Sequence, residues 1–207
     1  MYGALTKCYA VNRLSISRTV LMSSSYKAKK IRRAKVERRR KVKLPLKLSN
    51  PKYRVAFHEV AHAVIIKSFY PHNKVCLSIE GSEDKWIGST AEPDNRGQTR
   101  DWHSHALISI AGAIAETYYT QSHMDNAYRL LQKETGLAHD YKSFGIAYVN
   151  YKKTRINLSG ERELSQFELF RKSYFEVLGI LRRYGIVKMH QVAKKLVRDL
   201  RIEDEQL

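Results

Sequence analysis

The sequence predicts a mainly α-helical domain with a small β-hairpin or sheet, preceded by a basic N-terminal arm. Three observations lead there. A long apolar stretch from Pro51 to Lys67 has helix signals at both ends. No proline follows Pro93, which leaves a long distal part free to be helical. The charge is also unevenly divided. The 207 residues carry a formal +18, but residues 1–50 hold 15 Lys and Arg against the single acid Glu37, a net +14. Residues 51–207 hold 23 against 19 acids, a net +4, so the basic character belongs to the arm. The length suits one domain of ordinary size with a tail, and the division falls between an arm of 1–47 and a domain of 48–207.

Within the arm, residues 1–24 contain Lys7, Arg13 and Arg18, several Ser and Thr, and no acid, loosely like a mitochondrial presequence. Met22 before three serines is an alternative start. Residues 26–47 are a basic run with few large apolar side chains, which reads as a solvated segment. Its functional reading is contact with nucleic acid, a ribosome or an anionic membrane face, where clustered cations release counterions. The run lacks interleaved aromatics, which argues against specific recognition. The longest apolar run, Ala106–Ala115, is half the ~20 residues that a bilayer needs. Cys8 and Cys76 are far apart and fit no metal-ligand spacing, so a reducing compartment is the default. The expectation is a soluble cytoplasmic protein, with the mitochondrial matrix as the alternative.

The helix from Pro51 is the centre of the reading. Asn50 is a good N-cap, Pro51 suits the first helical position, and Pro71 lies beyond the end. It contains His58-Glu59-Val60-Ala61-His62, the HExxH pattern. At helical spacing His58 and His62 stack on one face and can reach one ion. Glu59 is rotated by about 100° from His58, beside the ion, where it can take a proton from bound water. Val55, Ala56, Phe57, Val60, Ala61 and Ala63–Ile66 make the helix apolar on nearly every side, hence buried. Three ionisable groups inside such a helix are costly unless paired, and a zinc ion with its water would pair all three. The competing reading is a chance HExxH whose histidines are ordinary hydrogen-bonded core residues.

Lys74–Glu80 alternates as a strand, Gly81–Lys85 is turn chemistry, and Trp86–Ala91 reads as a second strand. An exposed edge there can bind an extended peptide by strand addition. Pro93–Gly97 is a loop. Residues 101–121 form a helix; Arg100, Asp101, His103 and His105 beside its start either approach the site or are helix-start and surface residues, the second reading being preferred. A helix over 125–135 is broken by Gly136, and another runs from Asp140 to about Tyr151, with Tyr141 read as packing. Ser159 is the candidate N-cap of the next helix, whose core stripe is Leu164, Phe167, Phe170, Tyr174, Val177, Leu178 and Leu181. Tyr184-Gly185 ends it, and Met189, Val192, Ala193, Leu196, Val197 and Leu200 mark the last helix.

A hydrolytic zinc needs three protein ligands and an open position for water. The metzincin extension is absent, because Ile65 and Ser68 stand where it needs Gly and His. Glu80, Glu116 and Asp140 remain as candidates for the third ligand; Glu80 closes a strand and is discounted.

Tyr53–Val64 resembles the metal helix of the FtsH-type, membrane-bound AAA proteases, including the residues before the first histidine. Ala111-Gly-Ala-Ile-Ala-Glu116 is similar to that family's small-residue Gly-Arg-Ala-Ala-Glu helix, without the arginine. Gly136-Leu-Ala-His-Asp140 stands where the family's Asn-Asp-Leu segment supplies an aspartate ligand. The resemblance covers roughly residues 50–200. It implies zinc on His58, His62 and Asp140, Glu59 as the base, cleavage of polypeptides, and homo-oligomers. Ala61 replaces the family's glycine, and His139 replaces its asparagine, as a rival ligand or a support for Asp140. No Gly-Lys dipeptide occurs, which excludes a Walker A loop from these residues. The expected activity is therefore cleavage of flexible or unfolded polypeptide, independent of ATP within this chain or served by a separate ATPase. The rival expectation is a non-catalytic protein that keeps the fold and binds nucleic acid, a ribosome or another protein through its arm.

Overall fold

The computed structural model describes residues 50–83, 85–92, 101–120, 124–133, 137–155 and 162–206. The arm, the Pro93–Gly97 loop, Arg100, Gly136 and Ser159 lie outside the described residues. Lys47–Leu207 form one unit. Among the described residues are six helices and a three-stranded antiparallel sheet, so the mainly helical expectation holds.

Helix α1 spans Pro51–Phe69. Its start is as expected: the Asn50 side-chain oxygen accepts from the Tyr53 N–H at 3.0 Å, and Pro51 occupies the first turn. Beyond its end, Lys67 donates to the Pro71 and Asn73 carbonyls and pairs with Asp204, so one ammonium ties the outgoing chain to the C-terminal segment. Nearly all of α1 is buried from Tyr53 to Ile66. A helix without a polar face must be covered all round. Helices α2 (Trp102–Thr120), α5 (Gln166–Tyr184) and α6 (Ile186–Asp199) cover it together with the hairpin of β1 (Cys76–Ser82) and β2 (Lys85–Ala91). Helices α3 (Met124–Lys133) and α4 (Ala138–Arg155) pack on α2.

The hairpin pairs Cys76 with Ala91 through Ser82 with Lys85, so the turn is shorter than the predicted 81–85. A third strand, β3 (Arg201–Glu203), pairs with the other side of β1 and makes the order β2-β1-β3. The sequence reading missed it. Its cause is Leu200, which adopts a left-handed conformation (φ 62) and sends its N–H back to Leu196. Leu200 is thus a helix cap, 43% exposed, and not the last residue of the core stripe.

Helix α5 corrects a second expectation. Residues 162–165 are not helical, and the cap is Ser165. Ser165 Oγ accepts from the Glu168 N–H while the Glu168 carboxylate accepts from the Ser165 N–H, a reciprocal box that satisfies two end donors at once. Phe167 falls in the first turn and is 37% exposed; the buried stripe runs Leu169, Phe170, Tyr174, Val177, Leu178, Leu181. No helix among the described residues is long and apolar enough to cross a membrane.

Candidate metal centre

Helices α1 and α4 bring three side chains together. His58 Nε2 lies 2.9 Å from His62 Nε2 and 3.0 Å from Asp140 Oδ2, and His62 Nε2 lies 3.3 Å from the same oxygen. Tetrahedral ligands at about 2.0–2.1 Å from one zinc would stand about 3.3 Å apart. The triangle therefore fits an ion after a few tenths of an ångström of expansion.

The other ring nitrogens decide what the triangle is made of. His58 Nδ1 meets Glu116 Oε1 at 2.9 Å, and His62 Nδ1 meets the Ile108 carbonyl at 2.7 Å. Both partners are acceptors, so the neutral imidazoles carry their protons on Nδ1 and turn Nε2 lone pairs inward. Two lone pairs and a carboxylate oxygen then face one another in a buried place. They need a cation between them, a metal ion or a proton. Without metal, a proton serves. Burial pulls the His58 pKa down, but the Asp140 and Glu116 carboxylates outweigh it and hold it well above its ordinary value. Burial likewise pushes Asp140 up, and His62 and His58 outweigh it, holding the carboxyl well below the usual range.

Small residues let these groups approach. A Cβ on Gly112 of α2 would come closer than 3.0 Å to the His58 ring, so the α2 backbone lies against the imidazole. A Cβ on Gly88 of β2 would collide in the same way with the Glu59 carboxylate. Glu59 is buried, and the Thr90 hydroxyl lies 2.6 Å from its Oε2 and 3.1 Å from its own carbonyl. Glu59 thus sits between α1 and β2, beside the triangle and not in it. All four side chains line one cavity of about 450 Å³. Ile87–Thr90 of β2 form one wall, with α2 and the start of α4 opposite.

The remaining candidates separate clearly. Glu80 is exposed on β1. Glu116 is buried and bridges His58 to the Arg54 guanidinium, so it stands behind the His58 ring and outside the triangle. His139 is exposed at the cavity rim, and Tyr141 does not line the cavity. Asp101 accepts from the His103 and Ser104 N–H groups and caps α2, while His103 pairs with Glu176. His105, for which the sequence favoured a surface place over an approach to the site, lines the cavity with its Nε2 2.8 Å from Ser143 Oγ. The signal was present: His105, Ile108, Ser109, Gly112 and Glu116 share one face of α2 at helical spacing.

No family model and no curated protein matches the chain.

Proposed function

We propose that the chain is a zinc-dependent metalloendopeptidase acting on flexible or unfolded polypeptide, with no ATP used within this chain. The observation that supports it best is the inward-facing set of His58 Nε2, His62 Nε2 and Asp140 Oδ2, with a carboxylate that is not a ligand, Glu59, in the same open cavity. A structural zinc site has no use for that fourth group. The likeness of α1 to the FtsH-type metal helix points the same way.

When bound by these three residues, zinc would polarise a scissile carbonyl and bring the pKa of its water to about 7. Glu59, steadied by the Thr90 hydroxyl, would serve as the base that takes a proton from such a water and returns it to the leaving amine. Glu116 and the Ile108 carbonyl keep both imidazoles in the ligating tautomer. β2 is an outer strand that lines the cavity, so a substrate in extended form can pair along it and pass Glu59. A folded substrate could not thread this way, which is why the reading includes either flexible substrates or a separate unfolding ATPase.

The test is zinc content and casein cleavage without ATP, in wild type and Glu59→Gln. The variant should keep its zinc and lose at least a hundredfold in rate. Zinc-loaded wild type and variant equally inert on many unstructured peptides would favour the second reading, a non-catalytic binding protein, which the +14 of residues 1–50 supports. Activity gained only with an added ATPase would keep the residue roles and remove the autonomy.

A further inference from the structure

Helix α4 has two faces, and only one is accounted for by the fold. Phe144, Ala147 and Tyr151 point inward and are fully buried. Lys142, Ile146, Val149 and Lys153 form the opposite stripe at spacings of four, three and four residues, and all are exposed. Ile146 and Val149 are 48% and 49% exposed, although a helix of ordinary surface character would carry polar residues there. Beside them lies a concavity of about 520 Å³, bounded across the gap by Gln166 at the start of α5. Gly145 keeps it open: a Cβ added there meets nothing within 4 Å, so the fold does not require glycine at that position.

We propose that this face is a docking groove for an acidic amphipathic helix of a partner protein. The apolar pair and the cavity call for one or two apolar anchors. The charge is set by what surrounds them. Lys142 and Lys153 line the groove at its two ends, about 16 Å apart along the helix, and have no ion-pair partner among the described residues. Lys152, next in sequence but off the stripe, is by contrast paired with Glu163 at 2.9 Å. Among the described residues no acid lines the groove. A partner helix of about three turns, with apolar residues at i and i+3 or i+4 and acids toward both ends, matches the apolar and charged positions together. A second copy of this chain is a poor match. Every described α-helix except the buried α2 has more Lys and Arg than Asp and Glu; α5 and α6 together hold eight against three. The inference does not depend on the peptidase reading.

The test uses the full chain and fluorescence anisotropy with three labelled 15-residue peptides: an acidic amphipathic helix, the same apolar residues with Lys in place of Glu, and a scramble of the acidic one. Binding of the acidic amphipathic peptide is expected, weaker at high salt. Ile146→Asp with Val149→Asp should lower its affinity at least tenfold, and Lys142→Glu with Lys153→Glu should remove most of the salt dependence. Gly145→Gln serves as an independent variant, because it adds bulk to the groove lining at a position where an added Cβ meets nothing within 4 Å. Thermal melts confirm that each variant is folded. Capture by the basic arm would look different: the scramble would bind as well, and the groove variants would change nothing. That result, absence of binding, or equal binding of the Lys peptide overturns the proposal. So would self-association of the wild type, or binding to phosphatidylserine vesicles, that Ile146→Asp abolishes while peptide affinity stays unchanged.

Discussion

Glu116→Gln should weaken zinc binding while leaving the three ligands in place. The carboxylate now does two things. One oxygen accepts the His58 Nδ1 proton at 2.9 Å, and the other meets the Arg54 guanidinium. An amide keeps the size of the group and still offers one oxygen. Its other end is a donor, and it would face a second donor on Arg54. The amide oxygen must therefore abandon either His58 or Arg54, and the negative charge that strengthens the imidazole as a ligand is lost in both cases. Carboxylates behind a metal-bound histidine typically contribute ten- to a hundredfold in metal affinity. That corresponds to about 1.4–2.7 kcal/mol. Competition against a zinc chelator at fixed pH measures it directly. Arg54→Met, which removes only the outer partner, should have a smaller effect because this side chain is 35% exposed and partly screened. A Glu116→Gln affinity within twofold of wild type would refute the argument that Glu116 orients and charges His58.

Further outcomes follow from the same geometry. His58→Ala or His62→Ala should abolish zinc binding and lower the melting temperature of protein isolated with metal, since the remaining buried polar groups lose their common partner; metal analysis and calorimetry check this. Gly112→Ala should reduce zinc affinity although it changes no ligand, because the added Cβ occupies the place of the His58 ring; a crystal structure or chelator titration of the variant would show whether the ring yields. For metal-free protein the pH dependence has a definite sign. His58 is raised, so its contribution is complete below its ordinary 6.5 and fades as pH rises through the higher folded value. Asp140 is depressed, so its contribution is complete above its ordinary 3.8 and fades as pH falls through the lower folded value. The metal-free melting temperature should therefore peak between about pH 4 and 6.5 and decline above it, whereas zinc stabilisation should grow with pH as the His58 proton becomes easier to displace.

Much of the helical architecture was legible because its signals are local. Asn50 and Pro51 mark the start of α1 within one turn, and the apolar surface from Phe57 to Ile66, interrupted only by His58, Glu59 and His62, belongs to a covered helix. What failed depended on choices between equally local signals or on partners far away in sequence. Ser159 followed by Glu161 and Glu163 looks like a helix start, but Ser165 with Glu168 closes a reciprocal pair of hydrogen bonds that Ser159 cannot form with either acid at those spacings. β3 has three residues and exists because Leu200 turns the chain back along β1; no period can be read from so short a run.

The metal-site residues divide along the same line. His58 and His62 announce themselves by spacing, because the two rings belong to one helix. Asp140 was one candidate among several, and its choice over Glu116 came from the resemblance, since both are carboxylates on later helices and composition cannot choose between them. The fold assigns the two acids different places through distance and a missing side chain. Gly112 lets α2 run against the His58 ring, which puts Glu116, one turn farther on, behind the imidazole at Nδ1. Asp140, on the first turn of α4, meets the same ring from its Nε2 side. A carboxylate behind the ring fixes its tautomer, and a carboxylate in front is placed to share an ion with it. Exchanging those roles would require α2 to move outward by the width of a side chain, and the glycine at position 112 is what makes the observed arrangement the compact one.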